Sequence, residues 1–142
     1  MIKVYIKKLT PEAVIPTYAK PGDAGMDLVA TSISYDADGN TVYGTGIAME
    51  IPEGYVGLIF PRSSNAKKDL YLTNHVGVID SGYRGEIMFK FRPTVKYFMR
   101  EYVVGERVGQ IIIVPYPQVQ FVEAESLSST IRGEGGFGST GQ

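Results

Sequence analysis

The chain of 142 residues contains no cysteine, no tryptophan and a single histidine, His75. Without cysteine there is no disulfide, no thiolate zinc site and no thiol nucleophile, and the redox compartment stays open. One histidine excludes a multi-histidine metal centre. With no acid or nucleophile standing beside it, His75 reads as structural or exposed. An excess of one charge is missing too: 14 Lys and Arg stand against 15 Asp and Glu, a net charge of −1. A protein that lives on duplex nucleic acid needs a basic face, so no nucleic-acid partner is expected. A small polyanion held by a few placed cations fits the same balance. Long apolar runs are absent. Ile111 to Val114 stops at Pro115, far short of the roughly 20 residues of a membrane-spanning helix. Met1 to Lys8 alternates Ile2, Val4 and Ile6 with Lys3, Tyr5 and Lys7, which predicts a strand rather than a signal peptide. The expectation is a cytoplasmic protein without a membrane partner.

What is present favours β structure. Apolar residues make up 44% of the chain and charged ones 20%, enough to bury a core. The length suits one domain at roughly 150 residues per domain. β-branched and aromatic runs predict strands at Lys3–Lys7, Met26–Val29, Thr45–Glu50, Gly54–Phe60, Gly77–Ile79, Glu86–Phe91, Tyr102–Val104, Gln110–Pro115 and Phe121–Glu123. Turn signals separate them, among them Asp38-Gly39-Asn40 and Asp80-Ser81-Gly82. Only Ser64–Leu70 has helical character, and it is short. Many short strands at this spacing predict a sandwich or barrel.

Four segments within this β framework carry residues of chemical interest. Pro61-Arg62-Ser63-Ser64-Asn65-Ala66 follows an apolar strand and opens the helical candidate. It reads equally as an anion site, with a fork-shaped cation and hydroxyl donors, or as ordinary helix capping by Ser63 or Ser64. Asn74 to Glu86 reads as a β-hairpin around Asp80-Ser81-Gly82. If it splays, its backbone edges can read a planar base, with Asp80 as a general base and Tyr83 packed beside the ligand. On its own, Asp-Ser-Gly is also a plain turn. Arg107-Val108-Gly109-Gln110 places a cation and an amide at the start of a buried strand. Asp27 stands inside an apolar strand after Ala24-Gly25-Met26, where a carboxylate is costly unless it meets an arginine or lies near a metal.

The last stretch, Arg132 to Gly141, holds five glycines together with Arg132, Phe137, Ser139 and Thr140. Ordering so many glycines costs more backbone entropy than their contacts return. One reading is a mobile tail. The other is a segment that orders on a ligand, offering a flat ring, a phosphate-pairing guanidinium and hydroxyl donors.

Ala24–Leu28, Pro61–Ala66, Asn74–Glu86, Arg107–Gln110 and Arg132–Gly141 resemble, in this order, the five motifs of the trimeric dUTP pyrophosphatase (dUTPase) family. The resemblance covers nearly the whole chain. It is most specific in Ile-Asp-x-x-Tyr-Arg-Gly-Glu and in Arg-Gly-x-Gly-Gly-Phe-Gly-Ser-Thr-Gly. It implies an all-β fold, a distorted jelly-roll or β-clip-like barrel with one short helix. Residues 1–131 would form the core, and 132–142 a flexible glycine-rich arm that closes the active site. It also implies Mg²⁺-dependent hydrolysis of dUTP to dUMP and pyrophosphate, in a homotrimer with its sites at subunit interfaces. Such an activity limits uracil incorporation into DNA and supplies dUMP for thymidylate synthesis.

By that resemblance Asp80 activates the water that attacks the α-phosphorus. Asn74 and the hairpin backbone at Gly77 and Ile79 read uracil, and Tyr83 excludes a 2′-hydroxyl. Arg62, Ser63, Ser64 and Gln110 hold the phosphate chain. In the arm, Phe137 covers the base, while Arg132, Gly138, Ser139 and Thr140 close on the terminal phosphates. Mg²⁺ is held by substrate phosphates and water rather than by protein ligands. Asp27 lies near its water shell or braces the site, and Arg107 braces. Gly82 stands where many members have Asp, and Ser64 where many have Gly. Arg92–Val104 is longer and more aromatic than usual, which predicts an altered hairpin or a subunit contact. A dCTP deaminase shares the fold and an Arg-Ser-Ser segment but lacks the arm. A non-catalytic nucleotide-binding or structural module would have no use for Asp80 together with a complete arm.

Overall fold

A computed structural model describes residues 1–141; Gln142, the last residue of the expected arm, lies outside the described residues. Ten strands and one five-residue 3₁₀ turn form among them. The strands are β1 (Tyr5–Lys8), β2 (Met26–Val29), β3 (Ser32–Tyr35), β4 (Thr41–Gly44), β5 (Ile47–Glu50), β6 (Tyr55–Phe60), β7 (Leu70–Leu72), β8 (Gly77–Ile79), β9 (Met88–Pro93) and β10 (Arg107–Pro115). They build three antiparallel sheets, ordered β1-β5, β2-β10-β6-β8 and β3-β4-β9-β7. The all-β, jelly-roll-like expectation agrees with this architecture, although the sheets stay open rather than closing on one another.

Alternation along the strands decides what is buried. In β9, Phe89 and Phe91 turn inward while Met88 and Lys90 face out, the period-2 pattern of a sheet with one covered face. The two rings stack at 6.4 Å, and Tyr43 of β4 meets Phe91 edge-on at 5.8 Å. Leu28, Ile47, Ile87, Val108 and Ile111 complete the fully buried centre. Gly109 belongs to this packing, because a Cβ there would overlap the Phe89 ring. The register of β10 against β2 shifts at the same point, between Arg107 and Gly109. Tyr43 is fully buried, and its hydroxyl donates to the Tyr102 carbonyl at 3.0 Å and accepts from the Tyr102 N–H at 3.1 Å. Burial pushes the Tyr43 hydroxyl well above its ordinary range, so the group stays neutral as both donor and acceptor.

Several sequence expectations change. The 3₁₀ turn spans only Ser63–Lys67, and Leu70 begins a strand instead of ending a helix. A segment this short cannot offset helix nucleation, and buried Leu70 and Leu72 alternate with exposed Tyr71. Tyr102–Val104 forms no strand; Tyr102 is consumed by its bonds to Tyr43. Phe121–Glu123 forms none either, and Phe121 and Val122 are almost fully exposed because no neighbouring strand pairs with them. The strand expected from Thr45 starts at Ile47. Gly46 there takes φ = 67°, a left-handed residue that lets the chain leave one sheet and enter another. β3 and β4 pair as a hairpin around Asp38-Gly39-Asn40, where the sequence predicts only a turn.

The Arg92–Val104 stretch leaves β9 as an irregular loop, not a hairpin, with Phe98 exposed at φ = 53°. It is tied back by buried Asp69, whose Oδ2 accepts from the Arg100 N–H at 2.7 Å and from Nε at 2.9 Å. Oδ1 of Asp69 accepts from Arg100 Nη2 at 2.9 Å. These bonds hold the Asp69 carboxyl down at about 2, against an ordinary 3.8. A lowered carboxylate stabilises the fold above its unfolded value, and the contribution is lost as pH falls through the folded one. Asp69→Asn should therefore melt below wild type by a constant gap from pH 5 to 8. In thermal melts that gap should close as pH drops from 4 toward 2; a gap that persists unchanged into acid excludes the Asp69–Arg100 fork as its source.

Candidate active site

β8 and β9 flank the Asp80-Ser81-Gly82 turn, but they do not pair with each other. β8 pairs with β6, and β9 with β4 and β7. The expected ladder of a hairpin is therefore absent, because its two arms join different sheets. A cavity of about 370 Å³ opens where they diverge. Asn74, Gly77, Ile79, Asp80 and Tyr83 line it together. β8 is also an edge strand of its sheet, and an edge carries unpaired backbone N–H and C=O groups that can read the rim of a planar ligand.

The turn itself is braced. The Tyr83 N–H donates to the Asp80 carbonyl at 3.0 Å. Arg84 Nη1 donates to the carbonyls of Ser81 at 2.6 Å and Tyr83 at 3.2 Å, and Nη2 lies 3.4 Å from Glu50 Oε1 of β5. The cavity also contains residues that the sequence reading left without a role: Ile59, Thr73, Glu86, Met88 and Lys90. The alternation of Met88 and Lys90 with buried Phe89 and Phe91 already carried that signal. Glu86 closes the Ile-Asp-x-x-Tyr-Arg-Gly-Glu motif, but nothing local in the sequence shows that its carboxylate accepts from the Gly46 N–H at 2.8 Å.

A second cluster forms around Asp27 of β2. Its Oδ1 accepts from Arg62 Nε at 2.9 Å, and its Oδ2 lies 3.5 Å from Arg107 Nη1. The carboxylate in an apolar strand thus meets arginines, two of them. Arg62 Nη1 also donates to Ser64 Oγ at 3.0 Å. Arg62 is the extended residue that precedes the 3₁₀ turn, so neither serine caps an α-helix, and Ser63 is simply exposed. Any anion affinity here rests on the guanidinium and hydroxyl groups, not on a helix N-terminus. Gln110 Nε2 donates to the Pro61 carbonyl at 3.0 Å, and its Oε1 occupies the space left by the missing Cβ of Gly25. Arg62, Ser64 and Arg107 border a wide cavity of about 1010 Å³ together with Lys67, Lys68 and Arg100. Glu101 and Glu106 offset part of that positive charge. Tyr102 on the same wall donates to Asn65 Oδ1 at 2.7 Å, and burial pushes its hydroxyl up to about 12.

The two clusters do not meet within one chain. Gln110 sits opposite Phe60 on one side and Asp27 on the other, at the far end of β6. Ile79 sits opposite Gly57, so Asp80 follows level with Val56, toward the near end of β6. Four residues of strand rise and two strand spacings separate Asp80 from Gln110, roughly 16 Å. The arm lies apart from both. Arg132, Gly138, Ser139 and Thr140 line a hollow of the arm's own, and Phe137 is wholly exposed. The backbone bonds of the arm are local turns, such as Ser139 N–H to the Gly136 carbonyl at 3.0 Å.

Comparison with known proteins bears on this geometry. A family model described as dUTPase matches residues 11–141. The deoxyuridine 5′-triphosphate nucleotidohydrolase of Rhodococcus erythropolis is 40% identical over 145 residues, covering 99% of this chain and 87% of that protein. Among solved structures, a mutant dUTPase of Staphylococcus bacteriophage 80alpha with dUpNHpp superposes with a TM-score of 0.87. It is 26% identical, with 100% of both chains covered. A mutant dUTPase of phage phi11 of S. aureus, whose structure reveals the coordination of a structural Mg(II) ion, shares the fold at a TM-score of 0.76 and 24% identity. That match covers 90% of this chain and 100% of the phage chain. A family match from residue 11 to 141, joined to 40% identity with a curated nucleotidohydrolase, leaves one assignment: the chain belongs to the dUTPase family.

Proposed function

We propose that the chain is a dUTP diphosphatase that hydrolyses dUTP to dUMP and pyrophosphate, and that it works as a homotrimer. The observation that carries this reading is the cavity between β8 and β9, where Asp80 stands beside Asn74, Tyr83 and the free edge of β8. The cavity suits a planar base with its sugar. Asn74 and the β8 backbone bond the uracil edge, and the Tyr83 ring lies against the deoxyribose. The Asp80 carboxylate, on its braced turn, accepts the proton of the water that attacks the α-phosphorus.

Phosphoryl transfer asks mainly for positioning and charge neutralisation. Arg62, Ser64, Ser63 and Gln110 hold the phosphate chain, and Asp27 keeps Arg62 and Arg107 in place. From the arm, Phe137 covers the base, while Arg132, Gly138, Ser139 and Thr140 close over the terminal phosphates. Among the described residues no group of three or more His, Asp or Glu side chains could hold a metal, and Asp27 is engaged by its arginines. Mg²⁺ would be held there by phosphate oxygens and water, as this hard ion usually is, with Asp27 close to that water. When bound, the ion would neutralise phosphate charge.

Distance supports the trimer. Base and phosphate residues that lie roughly 16 Å apart along and across one sheet cannot grip one nucleotide at adjacent atoms. A phosphate cluster from a second subunit, set against the cavity of the first, removes the conflict. The stretch after Pro115 supports the same arrangement. It has no strand or helix among the described residues, and Val119, Phe121, Val122, Leu127 and Ile131 are left exposed along it. Residues 1–131 are read as the core with this strap, and 132–142 as an arm delivered to a neighbour. No described helix is long and apolar enough to cross a membrane, and a cytoplasmic location is part of the reading.

Three outcomes test it. Asp80→Asn preserves shape and removes basicity, so nucleotide binding should persist while pyrophosphate release falls about 10²–10⁴-fold; turnover within a few-fold of wild type removes Asp80 as the base. Tyr83→Ala should erode the preference for dUTP over UTP more than it weakens dUTP binding, as competition assays with both nucleotides would show. Finally, a chain ending before Arg132 and a full-length Asp80→Asn chain should each be nearly inactive yet trimeric. Refolded together, they should recover measurable activity, because mixed trimers combine an intact Asp80 with an arm from another subunit. Mixed trimers confirmed by mass spectrometry but without recovery would reject the shared site.

A further inference from the structure

Tyr83 is anchored at both ends by its own turn. Its N–H donates to the Asp80 carbonyl at 3.0 Å, and its phenolic hydroxyl donates to the Glu86 carbonyl at 2.9 Å. Between those anchors the ring lies directly on Gly85. A Cβ built on Gly85 would overlap the Tyr83 hydroxyl oxygen and stand only 2.6 Å from Cζ and 2.8 Å from Cε1. All three of its nearest atoms belong to Tyr83. Gly85 does not adopt a positive φ, so its backbone does not call for glycine. The ring calls for it.

We propose that Gly85 is a positioning residue for sugar selection: its missing Cβ forms the seat on which the Tyr83 ring rests, hydroxyl tied to Glu86, at the wall of the cavity where a ribose 2′-hydroxyl must be refused. The inference rests on the role given to Tyr83 above and extends it to the residues that place the ring. Carbon atoms pack at about 3.5–4.0 Å, so an added methyl moves the ring by about 1 Å and pulls the hydroxyl off the Glu86 carbonyl. Tyr83 is 41% exposed. The displaced ring swings toward solvent, and the core of the protein does not feel it. Glu86 is itself held by the Gly46 N–H at 2.8 Å, and Ile87 N–H donates to the Ile47 carbonyl at 2.8 Å. The carbonyl that receives the Tyr83 hydroxyl is therefore fixed to β5 and does not follow the ring.

The test is a double-mutant cycle on the full-length enzyme, with kcat and KM for dUTP and UTP measured separately. Gly85→Ala should melt with wild type and lower the dUTP-over-UTP ratio of kcat/KM by about tenfold, the scale of one methyl group in a specificity pocket. In a Tyr83→Ala background the same substitution should leave the ratio unchanged. Tyr83→Phe keeps the ring but loses its tie to Glu86, and should fall between wild type and Gly85→Ala without adding an atom to the turn. A wild-type ratio in both Gly85→Ala and Tyr83→Phe, with the ratio lost in Tyr83→Ala, overturns the seat and leaves the Tyr83 role standing. Equal effects of Gly85→Ala in both backgrounds overturn it as well. A wild-type ratio in Tyr83→Ala itself removes the Tyr83 role, and the seat with it.

Discussion

β6 is hydrogen-bonded on both sides, to β10 in one register and to β8 in another, and those two registers set where each half of the site can be. Against β10, Phe60 lies opposite Gln110, which in turn lies opposite Asp27 of β2. Arg62 and Ser64 follow directly, and the arginine-bound carboxylate gathers at that end. Against β8, Gly57 lies opposite Ile79, so the Asp80 turn emerges at the other. A shift of one residue in either ladder would turn every side chain of that strand to the opposite face. Backbone pairing thus locates the chemistry more firmly than any side-chain contact within the site.

Charge is arranged to support that geometry. Asp27 is partly buried, and its cost is offset by two guanidinium groups reaching its two oxygens. The same bonds restrict Arg62, which also holds Ser64, so under the proposed function a phosphate would meet donors with little freedom left to lose. On the far side, Arg84 bonds two carbonyls of the Asp80 turn. Its ion pair with Glu50 is exposed and contributes little to stability; its value is in holding the turn. The base role proposed for Asp80 needs this kind of fixed geometry more than it needs affinity.

Legibility differed between elements for physical reasons. β2, β6, β8 and β10 carry apolar and β-branched residues in short runs that local propensity detects, and their predicted spans lie nearly in place. β7 was hidden behind Ser63–Lys67, where serine, alanine and lysine imitate a helix start, although Leu70 and Leu72 alternate with Tyr71. Tyr102–Val104 has strand composition, but Tyr102 is spent on the buried Tyr43 hydroxyl. The Asn74–Glu86 segment was recognisable from its turn. That its arms join different sheets, and so open a cavity, depends on β4 competing for β9, a contact distant in sequence.

The amino-acid order alone determined the residue types, their spacing and the motif series that marks the family, because these are properties of local chemistry along a chain. It also determined that the glycine-rich end could not bury itself, since composition sets that entropy cost. Only the tertiary structure decided that Asp80 and Gln110 lie at opposite ends of one sheet, that Asp27 is shared by two arginines, and that Glu86 answers to Gly46. Each of these depends on strand pairing across long sequence separations. Pairing of that kind is chosen by the whole core packing at once, around Tyr43, Phe89 and Phe91, and no short window of sequence contains it.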